Sequence, residues 1–205
     1  MAIVGLMSFD DIFTGSSVMA ILRGLSPPET VSMAGRLWDA GVTVLEVPIG
    51  EPSQVDSLRA AVDAGRERGL RVGAGTVITP EQVRVAASAG AQYTVAPGFD
   101  PRVLAASLAA GMPHLPGVGT ASEVQHAWLA GCRWMKAFPA AALGPGWISA
   151  LLGPFPAARF VATGGITVAG APSFLAAGAR VVALGAALAD PAQRDQIKKL
   201  VSSAE

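Results

Sequence analysis

A short unit recurs along this chain. A helical stretch ends at Ala-Gly or Arg-Gly, and an apolar run follows at once, as at Gly41 before Val42–Val47, Gly69 before Leu70–Val72 and Gly90 before Ala91–Val95. Glycine just past a helix takes the left-handed closing conformation without a Cβ clash, so these dipeptides read as helix-to-strand corners. Gly41, Gly69, Gly90, Gly111 and Gly131 lie 28, 21, 21 and 20 residues apart, and the 47 residues from Gly131 to Gly178 hold two more units. Helix starts are marked as well: Ser26-Pro27-Pro28-Glu29, Glu51-Pro52-Ser53, Thr79-Pro80-Glu81 and Asp100-Pro101 put a cap or an acid beside a proline at a first turn.

The pattern predicts strands near 17–22, 42–47, 71–75, 92–96, 113–116, 133–137, 159–162 and 181–184, helices between them, a leading helix over 8–15 and a final one over 190–203. Eight strands alternating with helices through right-handed crossovers close into a (β/α)8 barrel of the TIM type, compact against the usual ~250 residues. A doubly wound open sheet is the runner-up. With 205 residues and no linker or low-complexity segment, residues 1–205 read as a single domain.

Composition narrows the function classes. With 15 basic and 15 acidic residues and no run of like charges, the footprint of a nucleic-acid binder is missing. Apolar residues make up 51% of the chain, and stretches 103–122 and 137–158 carry no Asp, Glu, Lys or Arg. Both are broken by glycine and proline (Gly111, Pro113, Pro116; Pro139, Pro145, Pro154), so neither gives the ~20-residue apolar helix of a membrane span. Parallel strands buried on both faces account for the apolar excess better. The single cysteine, Cys132, permits no internal disulfide and fits a reducing compartment. The start, Met1 to Met7, lacks a basic segment and runs into Asp10-Asp11, so no signal peptide is expected and the expected location is cytoplasmic.

Only three lysines occur: Lys198 and Lys199 near the C-terminus, and Lys136 inside Trp134-Met135-Lys136-Ala137-Phe138. An ammonium among apolar groups loses hydration, which favours the neutral amine, and a neutral amine is a nucleophile toward carbonyl carbon. The bland alternatives are a lysine that snorkels from a strand end, or one paired with a buried carboxylate. In a barrel of this type, polar groups just after strand C-termini line the catalytic mouth. Here they are Arg23, Glu46, Thr76, Pro97, Thr120, Lys136 and Thr163-Gly164-Gly165, with Gly185 after the last strand.

Glu46 ends an otherwise uncharged run and needs a partner or a task, either an ion pair with Lys136 or acid/base work beside it. Gly164, Gly165 and Gly185 could bring backbone amides to an anion, or simply turn the chain. Gly73-Ala74-Gly75-Thr76 lacks the spacing of a dinucleotide fingerprint, and no Walker loop occurs, so neither nicotinamide nor ATP is indicated. His114 and His126 stand alone and read as core and surface residues, and no cluster has metal-ligand spacing. Trp38, Trp128 and Trp147 read as packing.

Seven segments in order now carry a recognisable pattern: Ala20–Gly24, Leu45–Pro48, Gly73–Gln82, Ala96–Gly98, Pro116–Glu123, Lys136–Pro139 and Thr163–Ile166. Over nearly its whole length the chain resembles the class I aldolases that act on 2-keto-3-deoxy-6-phosphogluconate (KDPG), many of which also act on 4-hydroxy-2-oxoglutarate (KHG). The resemblance implies cleavage of a 2-keto-4-hydroxy acid of the gluconate, galactonate or hydroxyglutarate type to pyruvate and an aldehyde, without a cofactor or a metal, by a homotrimer. It implies that Lys136 forms the Schiff base and Glu46 shuttles protons. Thr76 and Arg23 would hold the pyruvoyl carboxylate, Pro97, Phe138 and Thr163 would border the substrate, and Gly164, Gly165 and Gly185 would receive a phosphate.

Three positions depart from the family pattern. Gly50 stands where gluconate-type members often have arginine, a loss Arg23 could make good as in galactonate-type relatives. Thr163 stands where those relatives tend to carry valine. Ala186-Ala187 follow Gly185 where a serine is usual, which removes a hydroxyl donor and weakens the case for a phosphorylated substrate. Two other readings share the fold: a sugar-phosphate isomerase or epimerase using Glu46 as base, and a catalytically silent anion-binding barrel.

Overall fold

The computed structural model describes residues 7–202, so the leading segment over 1–6 and the predicted helical end at residue 203 lie outside the described residues. The strands are β1 (Val18–Ile21), β2 (Val44–Pro48), β3 (Arg71–Gly75), β4 (Thr94–Val95), β5 (His114–Leu115), β6 (Gly117–Val118), β7 (Trp134–Ala137), β8 (Arg159–Thr163) and β9 (Val181–Leu184). All described pairings are parallel, in the order β5-β4-β3-β2-β1-β9-β8-β7-β6.

The two ends of that order are two halves of one stretch. Pro116 has no N–H to give a ladder, and it separates β5, within the strand predicted over 113–116 and paired with β4, from β6, which lies just past that predicted strand and pairs with β7. The Pro116 carbonyl still accepts from the Lys136 amide at 2.8 Å. The sheet therefore closes into an eight-position barrel with nine strands, not the eight predicted.

Helices α1 (Phe9–Ile12), α2 (Pro27–Asp39), α3 (Gln54–Glu67), α4 (Pro80–Ser88), α5 (Pro101–Ala109), α6 (Ala121–Leu129), α7 (Ala140–Leu143), α8 (Pro145–Leu152), α9 (Ala171–Ala176) and α10 (Pro191–Ser202) fill the intervals. The closing glycines at 41, 69, 90, 111, 131 and 178 all have φ between 68° and 102°. At the starts, Ser26 and Glu29 form a reciprocal capping box, and Thr79 and Asp100 accept from the amides of Gln82 and Arg102. Ser53, before α3, makes no side-chain cap. No helix among the described residues is long and apolar enough to cross a membrane.

Alternation along each strand produces two cores. Val18, Ala20, Leu45, Val47, Met135, Ala137, Phe160 and Ala162 face the helix layer. Met19, Ile21, Val44, Tyr93, Val95, Leu115, Val161, Val181 and Ala183 fill the barrel itself. Helix α1 stoppers one end: Phe9, Ile12 and Phe13 join the inner cluster, Phe13 lies 4.8 Å from the Trp134 ring, and Asp10 accepts from Trp134 Nε1 at 3.0 Å and pairs with Arg159. Trp134 and Arg159 begin their strands, so the stopper sits at the strand N-termini and leaves the C-terminal end open.

Candidate active site

β7 aims Trp134 and Lys136 inward, because Met135 and Ala137 belong to the outer core. Lys136 is 5% exposed, and its Nζ lies 5.2 Å from the Phe138 ring centroid. Among the described residues no carboxylate comes within 4 Å of it and no hydrogen bond holds it, so the expected alternative of a Glu46–Lys136 ion pair is not what the structure contains. A cavity of about 610 Å³ opens over it, lined also by Arg23, Phe138, Thr163, Gly164, Gly165 and Gly185. Seven of the ten predicted site residues thus share one cavity.

The other three stand around it differently. Glu46, in β2, is 1% exposed, and neither carboxylate oxygen has a hydrogen-bond partner. Its neighbour β3 makes room for it: a Cβ on Gly75 would sit 1.8 Å from Glu46 Oε1. Thr76 follows at φ 57°, a left-handed backbone that a β-branched residue rarely takes, and its hydroxyl accepts from Arg23 Nη2 at 3.2 Å. Gly50 lies against this pair, since a Cβ there would meet the Thr76 methyl at 3.0 Å. Pro97 is exposed and does not line the cavity; its carbonyl packs on Gly117, where a Cβ would fall 2.1 Å from it.

Tyr93 is the inward-facing residue that sequence reasoning passed over. It is fully buried, its hydroxyl donates to the Leu45 carbonyl at 2.5 Å, and its ring occupies the space where a Cβ on Gly73 would fall, 2.0 Å away. Burial first, and the Glu46 carboxylate second, push its phenol well above the ordinary tyrosine range. The Gly73-Ala74-Gly75 run therefore makes room for Tyr93 and Glu46. Alternation in β4, read together with two glycines in the neighbouring strand, is the signal that could have found it.

Other polar groups stay away from the cavity. His114 is buried outside the barrel, hydrogen-bonded through Nδ1 to Thr94 at 2.8 Å, and His126 is exposed on α6. Thr120 caps α6 and accepts from the Glu123 amide. Burial pushes the Cys132 thiol up to about 11, with Arg133 opposing, which disfavours a thiolate nucleophile. Among the described residues no three His, Cys, Asp or Glu side chains converge as a metal would require.

Comparison with known proteins places this geometry. Residues 9–201 match the family model described as KDPG and KHG aldolase. The chain belongs to that family. It is 38% identical over 172 residues to the 2-dehydro-3-deoxy-6-phosphogalactonate aldolase of Escherichia coli K12, covering 83% of each chain. It is 38% identical over 166 residues to the 2-dehydro-3-deoxy-phosphogluconate aldolase of Treponema pallidum, covering 80% of this chain and 78% of that one. Among solved structures, the KDPG aldolase of Legionella pneumophila, with pyruvate captured as a covalent carbinolamine, matches with a TM-score of 0.82 at 28% identity over 95% of this chain and 97% of that one. As a KDPG and KHG aldolase family member the protein is a carbon–carbon lyase on a TIM-type barrel.

Proposed function

We propose that this aldolase works through a Schiff base on Lys136, cleaving a 2-keto-4-hydroxy acid to pyruvate and an aldehyde. The observation that carries the reading is a lysine 5% exposed, without a counter-ion among the described residues, on the wall of an open cavity. An amine so placed can reach a carbonyl carbon in the cavity as a nucleophile. It condenses with the C2 carbonyl, and the resulting iminium draws electrons from the C3–C4 bond, which breaks with its pair held as an enamine. The iminium is the electron sink, so the step is written without a metal or a cofactor. Capture of pyruvate as a carbinolamine in the Legionella relative supports the same chemistry here.

Glu46 takes the C4 hydroxyl proton during cleavage and returns a proton to C3 before hydrolysis releases pyruvate. Its two unpartnered oxygens leave the carboxylate available for this work. The Arg23–Thr76 pair offers a guanidinium and a hydroxyl, already fixed together, to the pyruvoyl carboxylate. Phe138 and Thr163 border the reacting carbons, and Gly164, Gly165 and Gly185 turn the chain closely enough for backbone amides to approach the distal half. Pro97 holds the rim.

The whole chain is read as one cytoplasmic domain that assembles as a homotrimer. One likeness favours assembly: the chain is 32% identical to a protein cage designed by fusing symmetric oligomeric domains, over 91% of this chain and 73% of that one.

The test is incubation with pyruvate and sodium borohydride followed by peptide mapping. A single reduced pyruvyl adduct on Lys136 is expected. A folded protein left unmodified, beside a class I aldolase that labels, would sink the mechanism.

A further inference from the structure

The segment that carries Arg23 is held from the side by the first turn of α3. The Leu22 amide donates to the Glu46 carbonyl at 2.9 Å, and Arg23-Gly24-Leu25 then runs from the end of β1 to Ser26, the cap of α2. Arg23 and Leu25 both line the cavity. Gln54, the half-buried first residue of α3, reaches across to this run. Its Oε1 accepts from the Gly24 amide at 3.0 Å, and its Nε2 donates to the Leu25 carbonyl at 3.4 Å. One side-chain amide thus spends its acceptor and a donor on consecutive residues. Ser57, three residues on and fully buried, donates to the same Leu25 carbonyl at 2.8 Å.

The two bonds of Gln54 differ in what they control. The Leu25 carbonyl has Ser57 as its nearer donor, so its peptide stays held without Gln54. The Gly24 amide belongs to the peptide unit that begins at the Arg23 carbonyl, and Gln54 fixes that plane. Gly24 stands at φ 72°, a conformation glycine enters and leaves freely, and a Cβ there would meet nothing within 4 Å, so neither sterics nor packing holds the turn. The plane sets the direction in which the Arg23 side chain departs. That direction matters because Arg23 and Lys136 are the cations among the described residues that line the cavity, and Gly50, beside Thr76, brings no side chain. Arg23 itself is exposed, and a long exposed side chain has many rotamers to lose before it meets Thr76.

We propose that Gln54 is a positioning residue for keto-acid binding: its side-chain amide fixes the Arg23–Gly24 peptide so that the guanidinium meets the substrate carboxylate beside Thr76. This deepens the Schiff-base reading and rests on it, and on the place of Arg23 within it. Gln54 does not line the cavity and touches no reacting atom. Its effect therefore falls on how tightly the keto acid is held and not on the amine that attacks it, since a guanidinium–carboxylate pair depends on geometry as well as charge.

The experiment titrates the labelling of Lys136. The fraction of protein carrying a borohydride-reduced pyruvyl adduct is measured by intact mass against pyruvate concentration, for wild type, Gln54→Met, Arg23→Ala and the double variant, with circular dichroism to confirm folding. Gln54→Met keeps the length of the side chain and loses both bonds; Gln54→Ala takes its place should that variant fail to fold. Half-saturating pyruvate is expected to rise by about threefold or more in Gln54→Met and about tenfold or more in Arg23→Ala, with the labelling plateau of Gln54→Met unchanged. In the Arg23→Ala background the Gln54 substitution should add less than about 1.5-fold, whereas a merely structural role shifts both backgrounds alike. Equal shifts in the two backgrounds, or no shift in Gln54→Met where Arg23→Ala shows one, overturn the proposal and leave the Schiff-base reading standing. No shift in Arg23→Ala removes the place of Arg23 and the proposal with it. Absence of any adduct in wild type removes the Schiff-base reading and the proposal together.

Discussion

Glu46 shows how one residue's chemistry can depend on what its neighbour lacks. A carboxylate 1% exposed with both oxygens unpaired is costly to bury, and the barrel holds it in the space left by Gly75. If Glu46 moves the protons, Glu46→Gln should lower kcat by about 10²- to 10⁴-fold while pyruvate still traps on Lys136. Gly75→Ala tests the positioning separately. Its methyl would overlap Oε1, so the carboxylate must swing away, and kcat should fall about 10²-fold in a protein that keeps the acid. Steady-state kinetics on the two variants, with circular dichroism to confirm folding, check both. Full activity in Gly75→Ala would mean that the placement of Glu46 in the structure is not the working one. None of this crowding is local in sequence: Gly75 touches Glu46, and Gly73 touches Tyr93, only once the register of three strands is set.

At the scale of elements, signals carried by a single residue type were legible and those needing two strands were not. A glycine that must take a positive φ announces a helix end wherever it stands, and six such glycines gave the repeat and its strands. The strand over 113–116 was expected to end at Pro116; the division of one barrel position into β5 and β6 there depends on partners on both sides. The polar belt outside β4 and β5 was equally hidden. Thr94 on β4 meets Ser107 on α5 at 2.6 Å and His114 on β5 at 2.8 Å, and His114 Nε2 is left buried without a partner.

Burial pushes the His114 imidazole from the ordinary 6.5 down to about 4. Between those values the unfolded chain binds a proton that the folded protein refuses, so stability is whole above pH ~6.5 and is lost as pH falls toward ~4. By linkage the loss is about 2 kcal/mol at pH ~5. Urea unfolding near pH 7.5 and near pH 5 should therefore show wild type losing about 2 kcal/mol more than His114→Asn over that interval. Equal losses would place the pH sensitivity elsewhere.

Across the whole molecule the barrel separates what holds it together from what it does. The chemistry lies where the strands end: Arg23 after β1, Gly164 after β8, Gly185 after β9. The stopper lies where they begin: Phe9 and Phe13 stack at 5.6 Å, Phe9 meets Tyr93 edge-on at 5.8 Å, and Arg71 at the start of β3 donates to the Asp11 carbonyl at 3.2 Å. Residues at the N-terminal face of such barrels serve stability, and those at the C-terminal face serve catalysis. Leu25 and Met33 on the cavity wall carry no signal in the sequence, because they acquire a functional neighbour only when the last strands return beside the first.

The division makes a prediction in which stability and turnover part company. Phe13 is 5% exposed and packs against Trp134, so Phe13→Ala removes a buried ring and should cost about 3 to 5 kcal/mol in unfolding free energy. Well below its melting temperature the variant should trap pyruvate at the wild-type rate within about twofold, since the cavity lies at the other end of the barrel. Arg23→Ala, exposed at the mouth, should do the reverse, slowing pyruvate trapping by about tenfold or more with the melting temperature nearly unchanged, because it removes the cation offered to the carboxylate. Thermal melts and trapping rates on the two variants decide it. If Phe13→Ala slowed trapping as much as it lowered the melting temperature, the stopper would be coupled to the site through the barrel interior, and the Phe9–Tyr93–Glu46 line of buried groups would be the route to examine.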